Sequence, residues 1–89
     1  MPNSVVMGFV RGPVTIVRGS CGQVQGAGFD LESPDKNSDV RRVAVFGKAA
    51  KHCIENFSEG SLVIAEGSTE PRKGADGYLL TADTVMLAS

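Results

Sequence analysis

The 89-residue chain has no tryptophan, one tyrosine, one histidine and two cysteines. Each scarcity excludes something. Two cysteines, Cys21 and Cys53, are too few for a disulfide framework and read as free thiols. One histidine and two distant cysteines cannot supply the four ligands of a zinc site without carboxylates, so no metal is expected, and no cofactor is expected either. His52 and Cys53 are neighbours, but adjacent residues on a helix do not face each other, which removes a thiol nucleophile with its base. No other acid–base or nucleophile constellation is present, so no catalytic residue and no enzyme is expected. "GSTEPRKG" lacks the spacing of a phosphate-binding loop, and Gly22, Gly26 and Gly28 do not form a dinucleotide fingerprint. The formal net charge of -1 excludes a general polycation but not a local basic cluster. No apolar run approaches a membrane helix, and "MPNSVVMG" lacks the pattern of a secretory signal. The expectation is a cytoplasmic protein with no membrane partner and no small-molecule substrate.

What is present is mostly strand. "SVVMGFV" is an apolar run broken by Gly8, which marks a bulge or a close backbone approach. "RGPVTIVRG" begins with a Gly-Pro turn signal and then offers a second short strand from Val14 to Val17. "GFDLES" alternates, with Phe29 and Leu31 on one side, and "SPDKNSD" is a loop by chemistry. "VRRVAVFG" is a further strand. In "KAAKHCIENFSEG" the period changes: Ala50, Cys53, Ile54 and Phe57 form one apolar helical stripe, and Gly60 is placed to stop it. "SLVIAEG" and "YLLTADTVML" are strands, joined through "STEPRKGADG" as a hairpin loop. Phe9, Phe29 and Phe57 are expected in the core. The order predicts a mainly β domain over residues 1–89. Its expected form is a five-stranded Greek-key OB-fold barrel with one short helix between strands three and four. An open α+β sheet is the alternative.

One strand carries a face that does not belong to the core. Side chains alternate, so Val43 and Val45 share one side with Arg41, and Val40, Arg42, Ala44 and Phe46 share the other. An outward phenylalanine beside cations suits the stacking of single-stranded bases with phosphates held alongside. It also suits a protein interface.

The stretch "RRVAVFGKAAKHCIENFSEGSLVIAEG" resembles the bacterial and phage single-stranded DNA-binding proteins. Arg42, Val43, Phe46, Gly47 and Lys48 match the end of that family's third strand. Gly60, Ser61, Val63, Glu66 and Gly67 match the opening of its fourth strand, at the same separation across a helix. "EPRKG" is similar to the family's basic hairpin, with Arg72 and Lys73 aligned, and "LTADTVML" to its last strand. Two family tryptophans are replaced here by Val40 and Gly74, and the family's acidic C-terminal tail has no counterpart in "TVMLAS".

The resemblance implies binding of single-stranded DNA with little sequence preference, protecting it during replication, recombination or repair. The residues it nominates are Arg42, Phe46, Lys48, Arg72 and Lys73. Arg41 and Tyr78 are added as candidates, Tyr78 either to stack on a base or simply to pack, and Arg11 and Arg18, which flank the first turn, are weaker ones. A homo-oligomer, dimer or tetramer, is implied, with the apolar first strand as its pairing edge. The alternative function is an OB-fold protein-interaction module or primosome-type accessory subunit with weak or no DNA binding.

Overall fold

The computed structural model describes residues 4–34 and 39–88. Five strands and one helix follow in the order β1 (Ser4–Arg18), β2 (Val24–Glu32), β3 (Val40–Phe46), α1 (Lys48–Asn56), β4 (Leu62–Pro71) and β5 (Tyr78–Leu87). The strands close into a barrel in the order β1-β2-β3-β5-β4, and β4 pairs back onto β1. Closure rules out the open α+β sheet. The β3–β5 pair is parallel and the other four are antiparallel. The chain leaves β3, crosses through α1 and enters β4, so β5 fills the gap between them. This is the expected OB barrel.

Alternation along the strands fills the interior. Val10, Phe29, Val43, Val45, Val63 and Leu80 are buried there, and no polar or charged side chain joins them among the described residues. The helix closes one end of this core with the stripe read from its period. Ala50, Cys53 and Phe57 are buried, and Ile54 packs partly against them. The Phe57 ring meets Phe29 edge-on at a centroid distance of 6.0 Å. Burial of the Cys53 thiol pushes its pKa up to about 11, a backbone hydrogen bond offsetting part of the desolvation. Gly47 turns β3 into α1 at φ 68°, a backbone that side chains with a β-carbon rarely adopt.

Several local expectations change. The Gly12-Pro13 step is not a turn between two strands. β1 runs through it as one 15-residue strand, and a register shift between Arg11 and Thr15 absorbs the proline. A bulge is where a strand tolerates a residue without an N–H. Phe9 is not in the core. It alternates with the buried Gly8 and Val10, faces outward and is 40% exposed. Val40 does not share the outward face with Arg42. The register against β5 shifts between them, which turns Val40 into the core and leaves Arg41 exposed. Gly60 does not cap the helix, which ends at Phe57; it turns the chain at φ 93° and donates its N–H to Val10 O. Within the "STEPRKGADG" loop, residues through Pro71 belong to β4, so the connection is 72–77. Of the "SPDKNSD" loop, residues 35–38 lie outside the described set. Gly8 is a close approach, as expected: a β-carbon there would come within 2.8 Å of Glu32 O and Leu31 Cγ.

Candidate nucleic-acid interface

The outer face of the barrel across β1, β2, β3, β5 and β4 is organised by register. Pairing places Val17, Gly26 and Phe46 in one row. Thr15, Gly28, Ala44, Thr81 and Ser68 form the next row. Arg11, Asp30, Arg42, Leu79 and Glu70 form the third. Residues in one row point to the same side of the sheet. The middle of this face is therefore floored by Gly26, Gly28 and Ala44, which have little or no side chain.

That floor is occupied by two larger neighbours. The Phe46 ring lies against Gly26, and the Arg42 guanidinium lies over Gly28, where a β-carbon would come within 2.9 Å of Nη2. Arg42 is held in this position. Its Nη1 donates to Asp30 Oδ1 at 2.9 Å, and its Nη2 donates to Thr15 Oγ1 at 3.1 Å. Thr15 Oγ1 in turn donates to Gly28 O at 3.0 Å. The Arg42–Asp30 pair is half open to solvent, so its contribution to stability is small and its effect is to orient the cation. Phe46 stays 58% exposed, an uncovered ring beside an anchored guanidinium.

A groove of about 480 Å³ runs over this face, walled by the end of β1 and by the β4–β5 hairpin. Arg42, Phe46, Arg72 and Lys73 line it together. Arg72 is steadied at the hairpin, where Nη1 donates to Asp76 O at 3.3 Å. Val17, Leu79 and Pro71 add apolar wall, and Glu70 adds one carboxylate. The lining carries three cations and one carboxylate, and Asp30 pairs with one of the cations, Arg42, so a small positive excess remains in a chain of near-neutral net charge.

The other nominated residues lie outside this lining. Lys48 opens α1 and points into solvent. Tyr78, 41% exposed, begins β5, and Arg41 packs its side chain against Gly77 nearby. Arg11 sits on the outward row of Arg42, paired with Glu32 at 3.1 Å. Arg18 donates to Gly22 O in the β1–β2 hairpin. Sequence reading did not single out Thr15, Asp30, Gly26, Gly28, Leu79 or Glu70 for the site. Their role comes from cross-strand register, and the one available signal was the small-residue run "GAG" opposite "AVF".

No protein-family model matches the chain, and no curated protein sequence matches it. Solved structures do. The second single-stranded DNA-binding protein of Mycobacterium smegmatis superposes with a TM-score of 0.78 at 15% identity, covering 97% of this chain and 87% of that one. A small single-stranded DNA-binding protein from Streptomyces coelicolor gives 0.76 at 13%, covering 97% and 91%. The SSB domain of a protein from Synechococcus sp. gives 0.77 at 16%, covering 96% and 93%. At such identities the likeness is one of fold: this chain has the OB barrel seen in single-stranded DNA-binding proteins, over nearly its whole length.

Proposed function

We propose that the chain binds single-stranded DNA, coating and protecting strands opened in replication, recombination or repair. The observation that carries this reading is the pairing of an exposed Phe46 ring with the anchored Arg42 in a groove whose other wall bears Arg72 and Lys73. Every base has a π-face to stack on Phe46, and every nucleotide has a phosphate for the cations, so recognition is largely indifferent to sequence. The structural neighbours are named for the same activity. Lys48, Arg41, Tyr78 and Arg11 extend the track beyond the groove. Binding is the whole activity; no chemistry and no cofactor are required. The test is titration of labelled poly-dT at two salt concentrations. Tight binding that weakens with salt is expected, and no binding at low salt would sink the proposal.

The same proposal includes self-association. On the outer face of β1, β4 and β5, Val5, Met7, Phe9, Leu62, Ile64 and Met86 form an apolar surface by register. Val5 is 62% exposed and Met7 47%. Among the described residues no strand pairs the second edge of residues 4–7, and an antiparallel edge can pair with a copy of itself about a twofold axis. The partner it fits is a second copy of this chain. Sedimentation of wild type and Met7→Glu tests this: an oligomer converted to monomer is expected, and a monomeric wild type at micromolar concentration overturns it.

A further inference from the structure

Glu70 lines the groove with Arg42, Arg72 and Lys73, yet among the described residues no ion pair joins it to any of them. It lies on the outward row beyond Leu79, two strands from Arg42. The Arg42 guanidinium is turned the other way, tied to Asp30 and Thr15 over Gly28. Among the described residues neither ion pair includes Glu70. A carboxylate repels phosphates, so it opposes a groove that only tracks the backbone. What it can do is accept hydrogen bonds, two at a time.

We propose that Glu70 reads base edges in the bound strand and favours bases that present donors. This rests on the strand-binding reading and qualifies its indifference to sequence. Guanine fits best, because its N1–H and 2-amino group present adjacent donors to the two carboxylate oxygens. Cytosine and adenine offer one amino group each. Thymine fits worst, since its single N3–H lies between two carbonyl oxygens that repel the carboxylate. The cations direct phosphates to the flanks, at Arg42 on one side and at Arg72 and Lys73 on the other. The stretch over Leu79 and Glu70 is left to the bases.

The experiment compares three short oligonucleotides by fluorescence anisotropy: all thymine, the same with one central guanine, and the same with hypoxanthine in place of that guanine. Wild type is expected to favour the guanine oligonucleotide over all-thymine by about fivefold or more, the scale of one bidentate base contact. Hypoxanthine, lacking the 2-amino group, falls between them. In Glu70→Gln the preference collapses and all-thymine binding tightens, because a groove anion is gone. Glu70 is exposed, and a matching thermal melt shows that the variant is folded. Equal binding of all three by wild type, or a preference that survives Glu70→Gln, overturns this inference alone. Binding of none at low salt overturns the strand-binding reading, and this inference with it.

Discussion

The ring of Phe46 rests on Gly26 of the neighbouring strand, where a β-carbon would stand 2.9 Å from its Cδ1. The missing side chain at one position makes the exposed side chain at the other possible. Phe46→Ala removes the ring and leaves the core untouched, since the ring is 58% exposed. The expected loss of poly-dT affinity is about 1–3 kcal/mol, the usual worth of one base–aromatic stack. The melting temperature should stay within a few degrees of wild type. A variant that binds as tightly as wild type would remove Phe46 from the interface.

Arg42 and Asp30 make separable predictions. If Arg42 holds a phosphate as proposed, Arg42→Ala should make the slope of log K against log salt shallower by about 0.7, the value per phosphate for single strands. Asp30→Asn keeps the side-chain shape and removes the competing charge. It should strengthen binding at low salt while changing stability by less than about 1 kcal/mol, as for an exposed ion pair. Titrations across a salt series read both.

Cys53 gives stability a dependence on alkaline pH. Burial favours the protonated thiol and raises its pKa from 9.0 to about 11 in the folded chain. The stabilisation is full below pH 9 and is lost as pH rises towards 11, because the unfolded chain releases the proton first. The total is about 2–3 kcal/mol for a shift of this size. Denaturant melts at pH 8 and pH 11 should show the fall, and Cys53→Ala should flatten it. In the native protein a thiol reagent at pH 8 should label the exposed Cys21 and spare Cys53.

Gly67 is a test of the barrel itself. It sits at the register shift between β4 and β5, and a β-carbon there would collide with Thr81 O. Gly67→Ala should cost about 1–3 kcal/mol, as overpacking does. For a chain of this size that lowers the melting temperature by roughly 5–20 °C in a calorimetric scan. An unchanged melt would show that the β4–β5 pair adjusts freely.

The sequence made the barrel legible where one rule governed a whole element. The stripe Ala50, Cys53, Ile54 and Phe57 has a single period, and the helix buries most of it. Val43 and Val45 alternate cleanly, and both are fully buried. Reading failed at irregularities that parity cannot see. The shift between Val40 and Arg42 inverted one residue, and the bulge after Arg11 disguised one long strand as two. Four residues of the candidate site were legible as residue types, namely Arg42, Phe46, Arg72 and Lys73. The rest lies in partners chosen by register. Asp30 and Thr15 orient Arg42 from strands 12 and 27 residues away in the chain, a separation no local pattern encodes.

The bulge in β1 sets where this chain can change length. Between Arg11 and Thr15, β1 uses two more residues than β2 uses between Asp30 and Gly28. An even surplus keeps Val5, Met7, Phe9 and Arg11 facing outward like Thr15 and Val17 beyond it. A single insertion before Arg11 would invert the first half of the strand, sending the apolar surface inward and Val10 into solvent. Gly12 to Val14 already lie outside the ladder with β2, so evolution or an engineer can add a residue pair there and leave both surfaces in place.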